Sequence, residues 1–179
     1  GEDIIFWDIP NSAPRKVMGF FSQDELMVRR QQNQSSQDPT TMKINEDIAG
    51  RPYQIEAIKR VVEGLSQNKR KFLLTLATGT GKTRIAMSIV ELLMRAGKIN
   101  RVLFLTDRNA LREQAMGDLG NSGYKQFFPN DSKQYVFSGI LEPARLYAAT
   151  LQTMIEMYKD VSPGYFDLII SDEAHRSIF

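Results

Sequence analysis

Apolar residues recur along most of this chain at spacings that switch between two periods. Ile55, Ile58, Val62 and Leu65 fall three or four positions apart with Pro52 near the first turn, which predicts a helix from about Pro52 to Leu65. Phe72-Leu73-Leu74-Thr75-Leu76 is instead an almost continuous apolar run, the form taken by a strand buried on both faces of a parallel sheet. A second helical stretch runs from about Gly81 to Arg95 and meets a stop signal at Gly97. The alternation then repeats. Val102 to Thr106 reads as a strand, Asn109 to Asp118 as a helix, Tyr135-Val136-Phe137 and Tyr147-Ala148-Ala149 as short strands, Leu151 to Tyr158 as a helix and Leu168-Ile169-Ile170 as a strand. Gly120 to Lys133, with Gly123, Pro129, Asn130 and Asp131, reads as a surface loop. Strands alternating with helices require crossover connections, so the pattern predicts an α/β fold with a mostly parallel sheet covered by helices on both faces.

Ahead of Arg51 the pattern is irregular. Ile4, Ile5, Phe6 and Trp7 open the chain, Pro10 and Pro14 follow, and Ser22 is placed to cap a helix holding Leu26 and Val28. Trp7 and Phe20-Phe21 read as ordinary packing residues. Gln31 to Thr41 (QQNQSSQDPTT) has no apolar residue to anchor it and reads as a linker. The expected organisation is an N-terminal extension and linker over 1–48 and an α/β domain over 49–179.

Composition narrows the function classes. The 179 residues are 42% hydrophobic and 25% charged, those of an ordinary globular chain and not of a disordered or collagenous one. Lys and Arg number 23 against 21 Asp and Glu, a net charge of +2 that permits nucleic acid as a partner without demanding it. The sequence has no cysteine, which excludes disulfides, Cys-ligated zinc and thiol nucleophiles. No run approaches about 18 apolar residues and Gly1-Glu2-Asp3 lacks the basic start of a secretory signal, so an intracellular protein is expected.

The strongest chemical signal is ATGTGKT at Ala77 to Thr83, between a predicted strand and a predicted helix. In a phosphate-binding loop, Thr78, Gly79, Thr80 and Gly81 present backbone N–H groups to phosphate oxygens, and the helix adds its N-terminal dipole. Lys82 supplies a point charge for the β- and γ-phosphates, and Thr83 a hydroxyl for the Mg²⁺ that bridges them. The full pattern has glycine where this chain has Leu76, so the match is to its second half. The bland alternative is a glycine-rich turn. The second signal is Asp172-Glu173-Ala174-His175, directly after a predicted central strand. Asp172 suits Mg²⁺, often through water, and Glu173 suits orienting or activating the attacking water. Alone, such a pair is more often a helix cap or a solvated turn. His175, the one histidine, is either a surface imidazole or a contact that couples nucleotide state to nucleic acid.

ATGTGKT followed by DEAH resembles the first motor domain of superfamily two helicases and translocases, a RecA-like P-loop NTPase. RPYQIEAI (Arg51 to Ile58), FLTDRNAL (Phe104 to Leu111), ATLQTM (Ala149 to Met154) and DEAHRSIF (Asp172 to Phe179) are similar, more narrowly, to the motor (restriction, R) subunit of type I restriction enzymes. The opening FWDIPN and GFFSQDEL resemble the segment leading into that motor. The resemblance implies ATP and Mg²⁺ as ligands and double-stranded DNA as the pumped substrate. It also implies methyltransferase and specificity subunits as partners, an upstream nuclease domain, and a bacterial or archaeal cytoplasm. It further implies that Gln54 reads the adenine edge, with Tyr53 or Arg51 beside it for stacking or ribose contact. By the same resemblance, Thr106, Asp107, Arg108, Thr150 and Gln152 contact the DNA backbone. The bland readings are a polar helix face for Gln54, a pair with Asp107 for Arg108, and a solvated loop for Lys69-Arg70-Lys71.

The sequence also departs from the family. Phe179 directly follows DEAHRSI, no Ser-Ala-Thr motif or second motor lobe is present, and residues 1–48 show no nuclease constellation. The expectation is a truncated first motor domain, inactive in turnover alone, within a subunit that hydrolyses ATP to translocate DNA. The alternatives are an RNA or single-strand DEAH-type helicase, and a nucleotide-gated nucleic-acid binding module without hydrolysis, against which Glu173 argues.

Overall fold

The computed structural model describes residues 4–6, 14–17, 21–77, 79–106, 135–136, 145–157, 161–162 and 164–171. The chain divides into two compact units, one of Gly1–Met18 with Arg29–Lys98 and the other of Gly19–Val28 with Ile99–Phe179.

In the first unit, β1 (Ile4–Phe6) and β2 (Arg15–Val17) pair antiparallel with Ile5 opposite Lys16, where the sequence pattern suggested only irregular chain. Three-residue runs are too short to display alternation, and only the partner strand makes them strands. Helix α1 spans Gln23–Ser35, with Gln23–Val28 counted in the second unit and Arg29–Ser35 in the first. It starts as expected at Ser22, whose N–H donates to Glu25 Oε2 at 2.8 Å while its Oγ accepts the Glu25 N–H at 3.3 Å, a reciprocal capping box.

The helix runs on through the polar stretch read as a linker, and the rest of that stretch is anchored as well. Gln37 N–H donates to Ala96 O at 2.8 Å, Lys98 Nζ donates to Ser36 Oγ at 2.8 Å, and Pro39 is buried in a 3-10 turn (Pro39–Thr41) capped by Asp38. Backbone bonds and a single proline replace the apolar side chains the segment lacks. The Thr40 backbone N–H and then its hydroxyl hold the Asp38 carboxyl below the usual carboxylate range.

Helix α2 (Pro52–Ser66) packs on α3 (Lys82–Arg95). Ile58, Val61 and Val62 are buried on α2, and Ile85 with Met87 through Leu93 on α3, so α3 is enclosed on most sides. One buried residue of α3 is Glu91, which is paired with Arg95 at 2.7 Å; the same guanidinium donates to Lys43 O at 2.7 Å. Gly97 ends the helix at φ 70°, as its position predicts.

The expected strand Phe72–Leu76 does not form. No ladder runs along it among the described residues, and Leu73 is 83% exposed. A continuous apolar run becomes a strand only where neighbours pair with it on both edges. Here Phe72 instead leans its ring on Gly64 of α2.

The second unit holds a four-stranded parallel sheet of β3 (Val102–Thr106), β4 (Tyr135–Val136), β5 (Leu146–Thr150) and β6 (Leu168–Ser171), in the order β4-β5-β3-β6. Helix α4 (Leu151–Met157) follows β5 without a loop. The parallel sheet and the helix after β5 agree with the sequence pattern. In contrast, β6 lies at an edge of the described sheet, and its alternating burial shows one face covered more than the other. Leu103, Tyr147 and Ala149 form the buried centre, with Tyr165 and Phe166 packed edge-on against Tyr147 at ring distances of 5.9 and 5.3 Å.

Asp167 ties the start of β3 to β6, accepting the N–H groups of Asn100 and Arg101 at 2.7 and 3.1 Å. Phe21 is buried with its ring over Gly164, where a Cβ would collide with it. The expected helix at 109–118 and the loop at 120–133 lie outside the described residues.

Candidate functional site

The glycine-rich loop turns twice into the left-handed region, at Gly79 (φ 78°) and at Gly81 (φ 82°, ψ 43°), where α3 begins. Glycine is needed at the two positions for different reasons. A Cβ on Gly79 would meet nothing within 4 Å, so only its backbone angle demands glycine; a Cβ on Gly81 would stand 2.7 Å from Gln54 Nε2. Between them, Thr80 closes a turn by donating from Oγ1 to Ala77 O at 2.6 Å.

The start of α2 holds this loop. Pro52 is the first helical residue, and the Gln54 side chain reaches back so that Oε1 accepts the Arg51 N–H at 3.2 Å. Gln54, 2% exposed, then donates from Nε2 to Thr80 O at 3.1 Å. Tyr53 donates its hydroxyl to the same carbonyl at 2.8 Å, and Arg51 Nη1 donates to the Tyr53 oxygen at 3.2 Å. The residues of Arg51-Pro52-Tyr53-Gln54 and those of the glycine loop, far apart in sequence, thus form one hydrogen-bonded unit.

The α3 N-terminus carries no side-chain cap and no acidic residue in its first turn, whereas Lys82 and Arg84 lie there. No carboxylate of the helix's own first turn offsets the positive end of its dipole, an arrangement that favours an anion. Lys82 is half-buried and the Thr83 side chain is exposed. These features fit a phosphate chain: backbone donors without Cβ atoms in the way, a nearby ammonium, and a hydroxyl available to a hard cation.

In the second unit, Thr106 and Thr150 are register partners at the carboxyl ends of adjacent strands, and Leu105 is paired with Ser171, the residue before Asp172. The Thr150 hydroxyl serves as the cap of α4, accepting the Thr153 N–H at 3.1 Å, and the residue is 6% exposed. The Thr-x-x-Thr spacing at a helix start is the sequence signal for that cap. Gln152 is exposed and donates to Glu156 Oε1 at 3.0 Å. Thr78, Asp107, Arg108, Asp172, Glu173 and His175 lie outside the described residues. Among the described residues no His, Asp and Glu cluster could hold a metal, and no helix is long and apolar enough to cross a membrane.

Against known proteins, residues 47–179 match the family described as "Type III restriction enzyme, res subunit" (ResIII). The chain is 35% identical over 133 residues to the type I restriction enzyme EcoAI endonuclease subunit of Escherichia coli, covering 70% of this chain and 16% of that subunit. It is 31% identical over 148 residues to the EcoKI endonuclease subunit of the same species, covering 73% of this chain and 12% of that one. Its fold is similar to a fragment structure of an HsdR subunit of a type I restriction enzyme from Vibrio vulnificus, with a TM-score of 0.58 and 27% identity over 97% of this chain and 32% of the other. The chain therefore spans about a sixth or less of the length of these two curated relatives.

Proposed function

The chain belongs to the ResIII family, alongside the motor subunits of type I restriction enzymes, and on that footing we propose that it is an ATP-hydrolysing motor domain that drives movement of double-stranded DNA. In this reading residues 49–179 are the first RecA-like motor domain, 1–48 are an extension to it, and the protein works in the cytoplasm with methyltransferase and specificity subunits. The observation that supports it most is the glycine loop, whose two left-handed residues flank a carbonyl pinned by both Gln54 and Tyr53.

The roles follow from the chemistry of each group. Gly79, Thr80 and Gly81, with Thr78, present backbone donors to the β- and γ-phosphates, and Lys82 neutralises charge there as the γ-phosphoryl leaves. Thr83 and Asp172 would hold Mg²⁺, which when bound would neutralise charge on the phosphates. Glu173 holds the attacking water and takes its proton. Among the described residues the Gln54 side chain bonds only Thr80 and Arg51, which leaves one Nε2 hydrogen and one Oε1 lone pair, the donor and acceptor an adenine edge requires.

Thr106, Arg108 and Gln152 are proposed to contact DNA phosphates, and His175 to couple the two ligands. Thr150 would act chiefly by holding the start of α4, since its hydroxyl is spent on the cap. Contacts of this kind position without reading bases. The test is phosphate release by the full subunit with duplex DNA, single-stranded DNA or RNA. Stimulation by duplex DNA of any sequence, falling steeply with salt, is expected; stimulation by RNA alone would place the chain with the RNA helicases.

A further inference from the structure

We propose that Tyr53 is a positioning residue for the phosphate loop: its hydroxyl, backed by Arg51, fixes the Thr80–Gly81 peptide so that the Gly81 N–H faces the phosphates. The proposal rests on the nucleotide-binding reading above and gives Tyr53 a part distinct from stacking on a base.

The geometry starts from the shared acceptor. Thr80 O receives the Tyr53 hydroxyl at 2.8 Å and the Gln54 amide at 3.1 Å, so both lone pairs of that carbonyl point toward the start of α2. A trans peptide is planar, with C=O and the following N–H pointing in opposite directions. Holding the carbonyl toward α2 therefore sends the Gly81 N–H away from α2. Gly81 is also the residue at which such an orientation is least secure, because glycine reaches both signs of φ without steric cost. A flipped peptide would present a carbonyl oxygen, with its partial negative charge, in place of a donor.

Arg51 completes the tether. Its Nη1 donates to the phenol oxygen at 3.2 Å, which occupies that oxygen as an acceptor and turns its own hydrogen toward Thr80. Gln54 is almost wholly buried, whereas Tyr53 is 41% exposed. Ring and hydroxyl can therefore be tested separately.

The experiment titrates ATP and inorganic tripolyphosphate by calorimetry, without Mg²⁺, into the full chain as wild type, Tyr53→Phe and Lys82→Ala, with a thermal melt of each. Tyr53→Phe keeps the ring and removes both hydrogen bonds of the hydroxyl, the one it donates to Thr80 O and the one it accepts from Arg51. It is expected to weaken both ligands by the same factor, about three- to tenfold, with the melting midpoint unchanged. A loss confined to ATP would mean that Tyr53 acts on the base, and overturns the proposal. Wild-type affinity of Tyr53→Phe for both ligands, with Lys82→Ala impaired, overturns the positioning role and leaves the nucleotide reading standing. A wild-type chain that binds neither ligand overturns both; one that binds ATP but not tripolyphosphate counts against the positioning role alone.

Discussion

Gln54 donates its amide to the carbonyl of Thr80 at 3.1 Å, and the same Nε2 occupies the space a side chain at Gly81 would need. One buried glutamine thus helps to hold the direction of a peptide in the glycine loop and leaves no room for a side chain on the residue that follows it. The contact joins positions 26 apart in sequence, and it makes the start of α2 part of the loop's architecture.

That relationship separates the two glycines. Gly81→Asn should destabilise the fold by about 1–3 kcal/mol, because it adds a clash with Gln54 to a left-handed backbone angle. Gly79→Asn should cost under about 1 kcal/mol, since asparagine tolerates that region and the space is open. Urea denaturation of the two variants checks this; equal losses would show that backbone angle alone governs both sites.

Glu173→Gln should separate binding from chemistry. The amide keeps the shape of the side chain but cannot accept a proton, so turnover should fall by roughly 10²–10⁴-fold, the range for a lost general base, with ATP affinity nearly kept. Steady-state phosphate release beside equilibrium nucleotide binding reads the two effects apart. Turnover that survives both Asp172→Asn and Glu173→Gln would place the hydrolytic groups elsewhere.

Helices α2, α3 and α4 and the strands of the described sheet were legible because their signals are local. Ile55, Ile58, Val62 and Leu65 mark one face of α2, and Val102 to Thr106 has the length and composition of a buried strand. Features that depend on a distant partner were not. Phe72–Leu76 has a strand's composition, yet its neighbour in the structure is Gly64 of α2. Ile4–Phe6 is a strand only because Arg15–Val17 lies beside it. The glycine loop could be read from residue types at known spacings, whereas Gln54 stands out only through the family resemblance of Arg51 to Ile58. Nothing in the spacing shows the direction of the Tyr53 hydroxyl, which is set by a carbonyl 27 positions away.

Acid should weaken the second unit through Glu25. Burial raises the pKa of its carboxyl, but hydrogen bonds from Ser162 and Ser22, together with the charge of Arg101, outweigh it and bring the group below its ordinary value of 4.5. A carboxylate with a lowered folded pKa contributes stability that is present above the unfolded value and is lost as pH falls through the folded one. Melting curves of wild type and Glu25→Gln should therefore differ most above the ordinary value of 4.5 and draw together as pH falls below it. A gap that persists unchanged at the acid end would assign the difference to packing instead of charge.

The most direct test of the account is calorimetric titration of Mg-ATP into the full chain as wild type and as Lys82→Ala. If the loop at 79–83 cradles the phosphates, the wild type binds and the variant loses at least about tenfold in affinity, the loss of a hydrogen bond to a charged group. Equal affinity in the two proteins would contradict the assignment of this loop as the nucleotide site.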